Sequence, residues 1–235
     1  TVTSTIIDTT VDGFSIIGGD STDQMIGGGG VYIPYGSQSI PDGGGKITIK
    51  NTKIYNNKGK TGGGIACYGG LNPYPKSVIH LENVEVYNNE CETLLSSGIY
   101  NYSGEINLIN SKFHDNYALS DTLHLFGTSG IYFYSISSVN WDGGEVSYRG
   151  SSSGYGILHT LPDFAGATLG KTSNYQNITL IGLDTSGTAM YFNRYPGATT
   201  QLYLNINNNK FMNCVNCIKL PGDDDTDCSL NGNKF

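Results

Sequence analysis

Arginine is almost missing from this chain: Arg149 and Arg194 are its only two copies, and charged residues of all kinds make up 14%. Phosphate recognition depends on clustered Lys and Arg, so this scarcity, together with a net charge of −7, excludes a nucleic-acid partner. No apolar run approaches the roughly 18 residues of a membrane-spanning helix, and no basic stretch leads into an apolar one at the start. The expectation is therefore no membrane span, with Thr1 reading as a mature or excised terminus. Proline is scarce, at 7 against 33 glycines, so the glycines mark corners rather than a disordered linker. The four histidines, His80, His114, His124 and His159, show no spacing of a catalytic triad. The five cysteines are an odd number, which leaves at least one outside any pairing within the chain. Cys214 and Cys217 form a lone CxxC with only Cys228 nearby; a zinc site needs two further ligands, so buried thiols or a local disulfide are favoured. No cofactor is expected.

What the chain has in plenty is tyrosine, 17 copies, beside many Asn, Ser, Thr and Gly. That mixture suits strands with wet outer faces and tight polar corners. Internal self-similarity then decides the fold. The segments 47–57, 79–89 and 106–116 align without gaps, and weaker copies run over 139–149, 173–183 and 204–214. One apolar anchor recurs in every copy, at Ile16, Ile54, Val86, Phe113, Val146, Leu180, Phe211 and Phe235. A variable interval around a constant motif means loops of different length on a fixed strand framework.

Inside each copy the apolar residues alternate with period two, a strand signal rather than a helical one. Ile47 and Ile49, Ile79 and Leu81, Ile106 and Leu108, Val139 and Trp141, and Leu204 and Ile206 should therefore face inward. The same alternation carries Asn51, Asn83, Asn110, Asn177 and Asn208 inward, with Gly13, Gly143 and Gly232 as equivalents, and predicts a buried amide ladder there. A glycine-containing corner opens a second strand at 28–32, 62–66, 96–100, 128–132 and 186–190. Before each anchor the outward residue reads Lys53, Glu85, Lys112, Glu145, Thr179 and Lys210; alternating sign favours stacking one coil on the next. The expected fold is all-β: a single-stranded, right-handed parallel β-helix of about seven coils, forming one domain over residues 1–235.

A GG-apolar motif paired with an F/I/V-x-x-N motif, here Ile54–Asn57, Val86–Asn89 and Phe113–Asn116, resembles the polymorphic-outer-membrane-protein type of β-helix repeat. The opening stretch Val11–Gly19 is similar to repeats of secreted bacterial pectin-lyase-like proteins. These resemblances cover nearly the whole chain and imply a secreted or cell-surface solenoid, often an adhesin and sometimes a polysaccharide-cleaving enzyme. They also imply motifs that the chain lacks: it has no NTD…DD…GHG…RIK series of polygalacturonases and no WIDH-like motif of pectate lyases. Catalytic residues are accordingly unknown.

The candidate contact surface lies on the strand after the glycine corner. One outward column should hold Tyr32, Ala66, Tyr100, Tyr132, Leu158 and Met190, and a second Tyr68, Tyr102, Tyr134 and Phe192. Six tyrosines (Tyr32, Tyr68, Tyr100, Tyr102, Tyr132 and Tyr134) would form an aromatic platform able to meet a glycan or a host or cell-surface protein. Equally, such a column stabilises a sheet by stacking on itself, and the loops 33–45 and 69–76 are candidate covers. A shorter stripe, Tyr55, Tyr87 and His114, reads as a solvated face. Glu82 and Asp142 share one outward column with Ile109 between them, a distant carboxyl pair for hydrolysis. Gly222–Asp227 is the densest acidic run; it lacks EF-hand spacing, so Ca²⁺ there is a weak candidate beside a solvated turn. Of the sequons Asn101–Ser103 and Asn177–Thr179, the inward assignment of Asn177 leaves Asn101 as the accessible one. The expected function is an adhesin-like binding module without evident catalysis. The alternatives are a polysaccharide lyase or glycoside hydrolase, and a structural module that self-associates end to end.

Overall fold

The computed structural model describes residues 2–3, 8–22, 27–34, 45–69, 77–92, 96–118, 130–134, 138–148, 155–161, 172–183, 187–194, 202–222 and 226–235. Every strand in it is paired parallel, and the pairs follow the repeats: Ile47 lies beside Ile79, which lies beside Ile106, which lies beside Val139. The chain is a parallel β-solenoid, as its repeats predict, with no helix among the described residues. It is eight strands deep in its aromatic sheet, so the coil count departs slightly from the expected one.

The second coil shows how sequence makes a turn of the solenoid. Lys46–Lys50 alternates outward and inward, burying Ile47 and Ile49 completely. Asn51 then takes φ of 47°, swinging the chain into Lys53–Tyr55, and Asn56 at φ of 53° swings it again into Lys58–Gly59. Left-handed backbone costs an ordinary L-residue about 1–2 kcal/mol, and Gly, Asn and Asp tolerate it best. The glycine corner follows, and the coil closes through Ile65–Tyr68. A methyl at Gly64 would lie 2.7 Å from the Gly98 carbonyl oxygen, so successive coils approach too closely there for any side chain.

Stacked coils form three sheets. The aromatic sheet carries strands such as Ile65–Tyr68, Ile99–Tyr102 and Ile131–Tyr134. The twelve-stranded long sheet carries Lys46–Lys50, Val78–Glu82 and the longer Glu105–His114, Val139–Tyr148 and Thr172–Gly182. A three-stranded corner sheet joins Lys58–Gly59, Glu90–Cys91 and Tyr117–Ala118. The enclosed core is aliphatic at one end and aromatic towards the other, with Trp141, Tyr148, Tyr175, Phe133 and Phe192 all fully buried.

One expectation about the corner is overturned. Asn51, Asn83, Asn110, Asn177 and Asn208 do stand above one another, but all five are exposed and all have φ between 47° and 57°. Gly13, Gly143 and Gly232 complete the column with φ of 75°, 72° and 65°. The period-two extrapolation fails because the backbone turns left-handed at this residue, where the strand stops, as at Asn51, or bends and runs on, as at Asn110; Asn or Gly is required by the bend, not by the core. The buried amide ladder lies at the next corner instead. Asn57 donates from its backbone N–H and its Nδ2 to Asn89 Oδ1 at 3.1 and 2.9 Å, and Asn89 does the same to Asn116 at 3.1 and 2.9 Å. Each Nδ2 also reaches a carbonyl of the preceding coil, Ile16, Ile54 or Val86.

Outward charges knit adjacent coils. Lys50 pairs with Glu82 at 2.7 Å, Lys53 with Glu85 at 3.2 Å and Lys58 with Glu90 at 3.0 Å, all between the second and third coils. The Lys50 hydrogen bond holds the Glu82 carboxyl below the usual range. Burial pushes Glu85 up, but His114 and Lys53 outweigh it and its net shift is downward.

Candidate functional site

The aromatic sheet places the six predicted tyrosines as two neighbouring columns. Tyr32, Ala66, Tyr100, Tyr132 and Leu158 stand in register, as do Tyr68, Tyr102 and Tyr134. They are not a flat, open platform. Tyr68, Tyr100 and Tyr132 are 7%, 6% and 3% exposed and form, with Ala66 and Leu158, a second apolar cluster on the outer side of the sheet. Burial pushes the Tyr68 and Tyr100 hydroxyls far up, and Thr61 hydrogen-bonds the Tyr68 hydroxyl at 2.8 Å. Only Tyr32, Tyr102 and Tyr134 keep partial exposure; Tyr102 and Tyr134 stack at 5.3 Å with their planes 14° apart. The proposed covering loops lie mostly outside the described residues.

The seventh of the eight stacked strands, Thr188–Arg194, is also out of the expected register. Ile157 pairs with Met190 and Leu158 with Tyr191, so Met190 and Phe192 face the core while Tyr191 occupies the outward column. A slip of one residue exchanges the two faces of a strand. Here Ala189 takes the level of the corner glycine Gly156, displacing the motif by one.

The outer face of the long sheet is different in chemistry. Its central column reads Thr48, His80, Asn107, Asn140, Asn174 and Asn205. Two residues along each strand, a second column reads Lys50, Glu82, Ile109, Asp142, Gln176 and Asn207. Between them lies a cleft of about 350 Å³, lined by His80, the amides of Asn107, Asn140 and Asn174, and by Asp142 and Gln176. Ile109, 37% exposed, adds an apolar patch. Asp142 accepts a hydrogen bond from Asn177 Nδ2 at 2.6 Å, which orients its carboxylate. Reasoning from the sequence missed this site. Its signal was visible, since Asn107, Asn140, Asn174 and Asn205 occupy the position between the two inward residues of four successive copies.

The remaining candidates are quickly placed. Tyr55, Tyr87 and His114 stack face to face at 4.8 and 5.1 Å, as a half-buried outer stripe. Glu82, Ile109 and Asp142 share a column as expected, so the backbones of the two acidic residues are two strand spacings apart, about 9.6 Å. Asn101 is fully buried with its amide committed to Gly104, at 2.7 and 3.2 Å, while Asn177 is exposed; accessibility of the two sequons is the reverse of that predicted. None of the five cysteines forms a disulfide; Cys67 and Cys91 are buried, and burial pushes the Cys67 thiol up to about 12. Among the described residues no group of three His, Cys, Asp or Glu could hold a metal ion. His124, Arg149 and most of the acidic run at 222–227 lie outside the described residues, as does the side chain of Arg194. No described helix is long and apolar enough to cross a membrane. No protein-family description, curated protein or solved structure matches the chain.

Proposed function

We propose that this solenoid is a secreted or cell-surface glycan-binding module, adhesin-like in use, whose contact surface is the amide-lined cleft of the long sheet. The observation that carries the reading is the composition of that cleft: neutral side-chain amides, one carboxylate and an exposed Ile109 converge on one face at 350 Å³. Amides and carboxylates pair with sugar hydroxyls, which both donate and accept, and an aliphatic side chain suits the less polar face of a sugar ring. The likeness of its repeats to polymorphic-outer-membrane-protein and pectin-lyase-like repeats supports an extracellular setting. The half-exposed edges of Tyr32, Tyr102 and Tyr134 offer a second contact strip for glycan or protein, resting on a sealed layer formed by Tyr68, Tyr100 and Tyr132.

A glycan array tests the reading directly. Wild-type chain should bind a subset of glycans, and Asn140→Leu should lose that binding with its melting temperature unchanged. Full retention by Asn140→Leu would refute the site; replacing Tyr102 and Tyr134 with Ala would then show whether the tyrosine strip binds instead. A polysaccharide-cleaving activity is the second reading, favoured by the alignment of Glu82 and Asp142. Their backbone spacing of about 9.6 Å lies just beyond the upper limit of roughly 9.5 Å between the carboxyl groups of inverting hydrolases. Release of reducing ends or unsaturated uronates from the bound polysaccharide, abolished by Asp142→Asn, would establish it.

A further inference from the structure

The outward amides do more than line a cleft; they form a directed chain. Asn140 Nδ2 donates to Asn107 Oδ1 at 3.1 Å, Asn174 Nδ2 to Asn140 Oδ1 at 2.8 Å, and Asn205 Nδ2 to Asn174 Oδ1 at 2.8 Å. A side-chain amide has two N–H groups and two lone pairs. In this chain Asn140 and Asn174 each spend one of both on their neighbours and keep one of both for the cleft. The surface therefore presents the same donor–acceptor pair once per coil, at the strand spacing of about 4.8 Å. All four amides are partly buried, so the ladder fixes their orientation in advance and little rotamer freedom is left to lose on binding.

Charge narrows the partner further. Among the described lining residues none is Lys or Arg, and Asp142 supplies a negative charge. Lys50, the nearest cation of the neighbouring column, is committed to Glu82 at 2.7 Å. An anionic polymer would meet a carboxylate without a counter-charge, on a molecule whose net charge is already −7. An extended peptide fits poorly as well, because its same-face side chains recur at about 6.6–6.8 Å and fall out of step with the coils. A linear chain of pyranose sugars advances by close to one coil spacing per sugar.

We infer that the ligand is an uncharged, linear polysaccharide lying along the stacking direction, with successive sugars meeting successive amides of the Asn107–Asn205 ladder. This rests on the glycan-binding reading and adds to it an orientation and a charge class.

The test is a length series on the whole chain by titration calorimetry. The probes are β-1,4-linked oligomers of glucose, mannose and xylose, from two to six units, with galacturonate oligomers of the same lengths as the acidic arm. For at least one neutral sugar, affinity should rise roughly three- to ten-fold per added unit until the ladder is spanned, then level off. Asn174→Leu should cut the affinity of the hexamer to about that of a shorter oligomer. Galacturonate oligomers should not bind at 150 mM salt. Equal affinity for dimer and hexamer, with Asn140→Leu still abolishing both, would overturn the axial orientation and leave the glycan site standing. Tighter binding of galacturonate would overturn the charge class. Absence of binding by all three neutral series would overturn the inference altogether.

Discussion

Two asparagine ladders run through this solenoid, and they differ in what surrounds them. Asn57, Asn89 and Asn116 line the inside of the second corner, each taking hydrogen bonds from the coil before and giving one to a carbonyl. Asn107, Asn140, Asn174 and Asn205 stand on the outside of the long sheet and bond only to one another among the contacts described. Asn89, fully buried, has both Nδ2 hydrogens and both oxygen lone pairs engaged and no water to replace a lost partner; Asn140 and Asn174 keep a donor and an acceptor on a partly exposed face. The same residue at the same coil spacing is thus a structural bolt in one place and, on the proposed function, the recognition surface in the other. Burial decides which.

That contrast is breakable. Asn89→Ala should cost the most, about 3 kcal/mol, because it takes the acceptor from the Asn57 backbone N–H and Nδ2 and a donor from the Ile54 carbonyl in a dry corner, while the Asn116 oxygen keeps only the residue-89 backbone N–H. Urea titration measures it, and a loss below about 1 kcal/mol would mean the corner is wet. Asn83→Ala should cost about 1 kcal/mol, since a methyl side chain is forced into φ of 53°, whereas Asn83→Gly should be nearly neutral. If glycine and alanine are equally harmful there, the residue is held by its side chain rather than by the bend. Asn140→Ala should change stability by less than about 0.5 kcal/mol while removing glycan binding, the inverse of Asn89→Ala. Smallest of all is the contribution of the ionic seam. The Glu82 and Glu85 carboxyls are held down in the folded state, so their stabilisation is complete above the ordinary glutamate range and fades as pH falls through the lowered values. Thermal melts from pH 7 to pH 3 should show that decline, and Lys50→Gln with Lys53→Gln should flatten it.

The sequence disclosed the fold through Ile47–Asn57, Ile79–Asn89 and Ile106–Asn116, because a stacked solenoid repeats the same side-chain demand in every coil. All ten inward aliphatic and aromatic positions named from the alternation are buried. What it did not disclose was where alternation stops. Asn51 and Asn57 are both asparagine near an anchor, and only the left-handed backbone at Asn51 separates a bend from a core rung. The slip at Met190 has a similar cause: Ala189 fills a level where glycine stands elsewhere, and nothing local reveals the extra residue. The tyrosine columns were legible, but how deeply they were buried was not, since each ring is packed against its equivalents in the neighbouring coils, as Tyr68 is against Tyr32 and Tyr100. The amide cleft was overlooked because each Asn, taken singly, is an ordinary polar residue on a wet face.

Register is the claim beneath all of this, and spin-label distances address it most directly. Lys53, Glu85, Lys112, Glu145, Thr179 and Lys210 form one outward column. With the native thiols Cys214, Cys217 and Cys228 changed to Ser, nitroxide labels at Lys53→Cys and Lys210→Cys should sit five coils apart, about 24 Å. Labels at Lys53→Cys and Glu145→Cys, three coils apart, should fall near 14 Å and broaden the continuous-wave spectrum. Narrow distances that grow in proportion to coil number are the predicted result. A distance between Lys53 and Lys210 that is broad, or no longer than that between Lys53 and Glu145, would contradict the stacked register and with it both ladders.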